Sequence, residues 1–174
     1  IPKTRVYITS LGNSGSFIFT LKMAVIDDEL DDDTIVYMVE DDYLHYNGSY
    51  RILLEGFQYG DYVSLYDHPD KYMYNGVPNP YVHDGGEFTK VFLSENTHWK
   101  YTNSTTMTFA SKMKTFRDDY DTIIQYCNQN IPLDFLMFCE LIQKKSRKLV
   151  TPLPGRATHG QSPMFSPLID WSNV

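Results

Sequence analysis

The apolar run Thr34-Ile-Val-Tyr-Met-Val39 passes into Glu40-Asp41-Asp42 with no turn residue between them. This junction constrains the fold more than any other stretch of the chain. A short run rich in β-branched and aromatic residues reads as a buried strand, so the three carboxylates stand at its tip. In α/β proteins the carboxyl edge of the sheet is where connecting loops leave a crevice for ligands. Clustered carboxylates repel one another unless solvent, protons or a cation compensates them. A hard divalent ion, Mn²⁺ or Mg²⁺, does this with one or two carboxylates, several waters and substrate phosphates. The competing reading is an ordinary solvated acidic turn.

The flanking pattern places that tip in a fold. Arg5-Val-Tyr-Ile-Thr9 reads as an earlier strand, Ser10 to Ser16 as a flexible turn, and Phe17 to Ile26 as a helix with Phe17, Leu21, Ala24 and Val25 on one face. Asp27 to Asp33 is an acidic connection. Strand, helix and strand from Val6 to Val39 have the length of a right-handed βαβ crossover in a parallel sheet. The chain opens at Ile1 without an initiator Met, so residues preceding Ile1 are expected to contribute to the same half. Further on, Gly48 to Gly56 reads as a helix, Tyr62 to Tyr66 as a strand and Tyr74 to Glu87 as a long loop. Lys90–Leu93 and Thr105–Ala110 read as a hairpin-like pair of strands around His98 and Trp99. Lys112–Gln129 and Phe135–Lys145 read as helices, and the Pro-rich tail from Thr151 as irregular. The expected fold class is α/β, a mixed sheet flanked by helices in a single domain spanning residues 1–174.

Composition excludes several function classes. A chain of 174 residues can bury one sizeable core, and its net charge of −7 leaves no broad basic surface for a nucleic-acid backbone. The basic cluster Lys144-Lys145-Ser-Arg147-Lys148 reads as a solvated helix end. Cys127 and Cys139 sit among apolar and aromatic residues, as reduced core thiols do, and with no signal peptide or membrane-spanning run the expected location is cytoplasmic. Asn47-Gly-Ser49 and Asn103-Ser-Thr105 match glycosylation acceptors, a pattern common by chance.

The stretch Val6-Tyr-Ile-Thr-Ser-Leu-Gly-Asn-Ser-Gly-Ser-Phe17, followed by Ile35-Val-Tyr-Met-Val-Glu-Asp-Asp42, resembles the glycosyltransferases of the GT-A fold. That family shows strand, N-x-G loop, helix, strand and a metal motif of the D-x-D type in this order. The resemblance implies a Rossmann-like half over residues 1–66 that binds a nucleoside-diphosphate sugar, with a UDP-sugar as the expected donor. It implies an acceptor-binding half over 67–174 that takes a glycan or glycoprotein. Thr9, Ser10, Asn13 and Ser16 would lie on the nucleotide; Asp42 would bind Mn²⁺ (or Mg²⁺), while Asp41 and Glu40 would hold the ribose or orient the metal ligand. A late His often completes the metal site in this family, and Thr158-His159-Gly160 is similar; His159 as an ordinary polar loop residue is the alternative. Inverting members place a carboxylate at a helix start as general base, and Pro132-Leu-Asp134-Phe resembles that position; Asp134 as a simple N-cap is the alternative.

Tyr66-Asp67-His68-Pro-Asp70 and His98-Trp99 add candidate sugar contacts. Carboxylates with aromatics suit sugars, which present hydroxyls and apolar C–H faces, so Asp67, His68 and Trp99 are expected at substrate. Most of the fourteen tyrosines fit half-buried sheet positions instead. More narrowly, Val39-Glu-Asp-Asp-Tyr-Leu-His45, Asp67-His-Pro-Asp-Lys71 and Ser166-Pro-Leu-Ile-Asp-Trp171 look like small glycosyltransferase domains of large algal viruses and some bacteria, the viral ones acting in the host cytoplasm. Two other functions remain open. A sugar-phosphate nucleotidyltransferase would need a Gly-rich loop with Lys or Arg, which is not seen after the first strand. A carbohydrate- or Ca²⁺-binding module would need no base at Asp134.

Overall fold

The computed structural model describes residues 4–73, 76–82 and 84–174. Its centre is a six-stranded mixed sheet made of β1 (Ile35–Met38), β3 (Tyr62–Val63), β4 (Val91–Leu93), β5 (His98–Tyr101), β6 (Phe109–Lys112) and β7 (Leu149–Leu153). The strand order is β1-β6-β3-β7-β5-β4, in which only the β3–β7 pair is parallel. A second, two-stranded sheet pairs β2 (Tyr43–His45) antiparallel with β8 (Ala157–His159). Four α-helices complete the described residues: α1 (Gly12–Val25), α2 (Ser49–Gly56), α3 (Met113–Cys127) and α4 (Asp134–Lys145).

Alternation along the strands divides the core into two layers. Tyr62, Phe109 and Leu149 point to one face and join Phe17, Leu21, Phe116, Ile123, Met137, Phe138 and Leu141 of α1, α3 and α4. Their neighbours Val63, Ala110 and Val150 point to the other and join Ile52 and Leu53 of α2 with Trp99. The period of two along each strand makes this partition unavoidable once both faces are covered. On the α2 side the approach is close: a Cβ on Gly56 would lie 2.7 Å from Val63 and 2.8 Å from Trp99. Residues from both sides of position 66 interleave in one sheet, since β6 stands between β1 and β3.

Several expected elements differ. Arg5–Thr9 forms no strand, and the parallel βαβ unit is absent among the described residues; β1 instead pairs antiparallel with β6. The Arg5 guanidinium is drawn to Asp27 (2.5 Å) and Glu29 (3.3 Å), and Tyr7 packs edge-on against Phe19. Val6 and Ile8 are left 79% and 98% exposed, away from any strand that could supply ladder hydrogen bonds. Helix α1 starts at Gly12, so most of the turn expected over Ser10 to Ser16 is already helical. The partner of β4 is β5, not a strand at 105–110, and β6 begins only at Phe109. The tail is irregular only in part, because it supplies the end of β7 and all of β8. Pro152 is tolerated in β7 because it lies past Val150, where the two-residue β3 has ended and no neighbour on that side needs its missing N–H. The expected loop at 74–87 has neither helix nor strand at its described residues, with Tyr74, Asn75 and His83 outside them.

The basic cluster after α4 is also more than a solvated helix end. Asp119 of α3 is fully buried, and its carboxylate accepts from the Tyr62 hydroxyl (2.8 Å), Lys145 Nζ (3.0 Å), and Arg147 Nε and Nη2 (2.8 and 3.0 Å). Burial and the neighbouring carboxylate hold the Tyr62 phenol well above its ordinary value, so Tyr62 stays a donor. Breaking a buried, hydrogen-bonded ion pair from one side costs about 3–5 kcal/mol. Asp119→Ala is expected to lose that much in urea unfolding. Asp118→Ala, next to it and half-exposed, should stay within about 0.5 kcal/mol of the parent protein.

Candidate active site

Glu40, Asp41 and Asp42 follow β1 directly and line one wall of a cleft of about 420 Å³. Asn13 and Ser16, at the start of α1, line the same cleft together with Phe17 and Met107. Leu11 at the helix cap makes no side-chain cap bond, so no side chain there takes up the first N–H groups of α1. The positive end of the helix dipole thus meets the side of the cleft facing the acids.

The three carboxylates are held differently. Glu40 is tied back: Asn13 Nδ2 donates to Oε1 at 3.4 Å, and its own N–H donates to Thr108 Oγ1 at 3.0 Å. Burial, followed by the charge of Asp42, pushes the Glu40 carboxyl above the usual range, with Asp134 adding in the same sense. Asp41 is exposed. Asp42 is fixed by the small sheet, where Tyr43 is in register with His159 and the Gly160 N–H donates to the Asp42 carbonyl at 2.6 Å. This brings His159 Nε2 to 3.1 Å from Asp42 Oδ2. Residues far apart in sequence, at the end of β1 and in the tail, thereby form one pair of donor atoms.

That pair suits a hard divalent ion. Two donors on adjacent corners of an octahedron with bonds of about 2.1 Å stand about 3.0 Å apart, close to the observed separation. A carboxylate with an imidazole is a suitable donor set for Mn²⁺. No group of three or more His, Cys, Asp or Glu side chains that could enclose an ion is present among the described residues. The remaining corners would therefore fall to water and to oxygens of a bound ligand. His159 Nδ1 accepts the Gln161 N–H at 3.2 Å, which leaves the proton of the neutral ring on Nε2, directed at Asp42. An ion at Nε2 requires the other tautomer, with the Gln161 amide turned away.

Asp134 stands in a second cleft of about 260 Å³, shared with His68, Asp70, Tyr81, Thr106 and Phe135. It is the first residue of α4 and follows the cap position at Leu133, so it does not sit at the N-cap; Oδ1 accepts the Phe135 N–H at 2.5 Å. Burial raises its carboxyl above the ordinary range, against the pull of that N–H, His68 and Lys71. The charge of Asp134 acts on Glu40 and on Tyr43, which puts the two clefts within electrostatic reach of each other.

The expected site residues divide accordingly. Asn13, Ser16, Glu40, Asp41 and Asp42 share the first cleft, His159 joins Asp42, and His68 shares the second cleft with Asp134. Thr9 and Ser10 are exposed ahead of α1 and line neither cleft. Asp67 and Trp99 are corrected outright, because both are buried for structural reasons. Asp67 pairs with Lys100 Nζ at 2.8 Å and accepts from the Tyr72 hydroxyl at 2.6 Å, while Trp99 is fully buried and donates from Nε1 to Ser94 Oγ.

Two contributors are assigned no role from the sequence. The Tyr43 ring packs edge-on against both His159 and Tyr66, and its hydroxyl donates to Thr106 Oγ1 at 2.7 Å. Ser166 fastens the tail behind β8: its N–H donates to Thr158 Oγ1, and its hydroxyl bridges the Ala157 and Asp67 carbonyls. Compared with protein-family models and with curated proteins, the chain matches none.

Gly160 is the position where the pairing is least tolerant. A Cβ there would lie 2.8 Å from the Asp42 carbonyl oxygen, a backbone atom that cannot swing aside. Gly160→Ala is therefore expected to destabilise by about 1–3 kcal/mol and to separate His159 from Asp42. The expected readout is a lower melting temperature together with loss of any Mn²⁺-induced shift, while Gln161→Ala keeps that shift.

Proposed function

We propose that the protein is a metal-dependent glycosyltransferase of the GT-A type that moves a sugar from a nucleoside-diphosphate donor, a UDP-sugar, to a glycan or glycoprotein acceptor. The observation that carries this reading is the Asp42–His159 donor pair at 3.1 Å, beside a cleft that also holds a helix start and within electrostatic reach of the half-buried Asp134. Among the described residues, Glu40, Asp41, Asp42 and Asp134 pair with no Lys or Arg. The acids of the first cleft therefore favour a cation from outside the chain, and a diphosphate then has that cation on one side and the α1 N-terminus on the other. When bound, Mn²⁺ would supply charge compensation for the departing diphosphate.

The chain's own residues account for the remaining steps. Asn13 and Ser16 offer side-chain hydrogen bonds to the donor in the first cleft. Asp134 receives the proton of an acceptor hydroxyl as that oxygen bonds to the anomeric carbon and the bond from that carbon to the diphosphate oxygen breaks. UDP leaves with the electron pair, and attack from the opposite face inverts the anomeric centre. A base buried in this way suits the task, because a raised carboxyl is the stronger proton acceptor once ionised.

Binding is tested first. UDP with Mn²⁺ is expected to stabilise the protein by about 2.7 kcal/mol at one hundred times Kd, and neither alone should match it. Asp42→Ala should remove the joint effect. A protein whose melting temperature ignores UDP in the presence of Mn²⁺ would end this reading.

Chemistry is tested by offering a panel of UDP-sugars and following slow transfer to water, which needs no acceptor. Asp134→Ala should keep the UDP–Mn²⁺ shift and lower turnover by at least a hundred-fold, in line with loss of a general base. The base works only when ionised, so turnover should fall as pH falls, with an acid limb above the ordinary Asp value of about 3.9. Normal turnover in the variant would remove Asp134 from this role.

A further inference from the structure

The second cleft carries more information than a base alone. Tyr81 and Phe135 stack face to face, with centroids 3.9 Å apart and planes within 1°. Phe135 covers one face of Tyr81, and at 54% exposure its other face is open. The Asn79 side chain, buried itself, accepts the Tyr81 N–H at 3.0 Å and fixes the ring's backbone. The base of this segment is equally fixed: Glu87 N–H donates to the Lys71 carbonyl, and the buried Lys100 lies between Asp67 (2.8 Å) and Glu87 (3.9 Å). The platform is thus built before any ligand arrives.

The charges lining the cleft select further. Asp70 and Asp134 contribute two carboxylates, and Asp70 Oδ1 is buried with no hydrogen-bond donor of its own. His68 Nδ1, which accepts the Asp70 N–H, stands 2.8 Å from it, and Lys71 Nζ lies 4.0 Å away. The one ammonium, Lys71 Nζ, is committed to Asn103 Oδ1 at 2.8 Å and Ser104 Oγ at 2.6 Å. A ligand here meets acceptors in search of hydroxyl donors and no cation free to receive an anion. At about 260 Å³ the cleft lies below the roughly 300–1,000 Å³ of sites for drug-sized ligands, which is room for one sugar ring.

We propose that this cleft binds a single neutral pyranose ring, the terminal sugar of the acceptor, with its C–H face on Tyr81 and a hydroxyl on Asp70, and that it discriminates against uronic acids and sugar phosphates. The C–H bonds of a pyranose are the positive edge that the negative face of an aromatic ring attracts, and a carboxylate that has only His68 and the distant Lys71 beside it gains a charge-assisted bond from a hydroxyl. Asp70 is here a specificity residue and Tyr81 a stacking platform. Calling the sugar an acceptor rests on the glycosyltransferase reading; the binding itself does not.

The test separates the two. Binding of methyl glucopyranoside, galactopyranoside, xylopyranoside and rhamnopyranoside, and of methyl glucuronide and glucose 1-phosphate, is measured by ligand-observed NMR without donor. At least one neutral glycoside is expected to bind, with the two anions at least ten-fold weaker. Tyr81→Ala should weaken the neutral ligand at least ten-fold, and Asp70→Asn should reduce the preference over the anions at least five-fold, with melting temperatures near that of the parent protein. The UDP–Mn²⁺ shift should be unchanged in both variants. Failure of every neutral glycoside to bind, equal binding of the anions, or indifference to Tyr81→Ala or Asp70→Asn overturns the proposal. Absence of a UDP–Mn²⁺ shift in the parent protein overturns only the glycosyltransferase reading.

Discussion

Compensation of carboxylates in the interior is the constraint on which the rest of this structure depends. A buried carboxylate costs several kcal/mol unless donors and cations surround it. Asp119 meets that condition with a phenol, an ammonium and a guanidinium, and in doing so binds α3, β3 and the connection from α4 to β7 to one another. Asp67 meets it with Lys100 and Tyr72, which fastens the base of the segment that carries Tyr81. Both carboxylates are structural because their partners are supplied by the chain. The partly buried Glu40 and Asp134 and the exposed Asp42 differ: their side-chain and backbone partners are an amide, an imidazole and N–H groups, with no Lys or Arg. The distribution of cations, more than that of acids, separates scaffold from site.

The same distinction explains what the sequence made legible. Helices over 49–56, 113–127 and 134–145 follow from apolar residues at helical spacing, and β1 from an uninterrupted apolar run. Arg5–Thr9 has the composition of a strand, yet a strand needs a partner as well as propensity, and Arg5 is held instead by Asp27 and Glu29. The tail errs in the opposite direction. Its prolines suggest irregular backbone, but Pro152 falls beyond the end of β3, and Ala157–His159 find a partner in β2, more than a hundred positions earlier in the chain. No local pattern announces a neighbour at that separation.

The candidate site follows the same logic. Glu40, Asp41 and Asp42 were legible because carboxylates at a strand tip conflict with an apolar run, and a conflict of that kind marks function more often than packing. Asp67 and Trp99 present the same residue types in an equally aromatic setting, yet they belong to the core. What separates them from Asp42 is Lys100, whose position opposite Asp67 is decided by the β5–β7 pairing and not by any spacing in the chain. Tyr43 and Ser166 were silent because a hydroxyl that braces a ligand residue looks in sequence like any other Tyr or Ser.

Tyr43 connects the surroundings of the two clefts. Its ring packs on His159, which faces the acidic cleft through Asp42, and its hydroxyl reaches Thr106, which lines the cleft of Asp134. Burial and the surrounding carboxylates hold its phenol far above the ordinary value, so it remains a donor wherever the fold persists. One rotamer thus serves the His159 imidazole on one side and a hydroxyl-lined cleft on the other. Packing at this density leaves few alternatives to that rotamer. A change at Tyr43 is therefore felt both at His159, which pairs with Asp42, and at Thr106 in the cleft of Asp134.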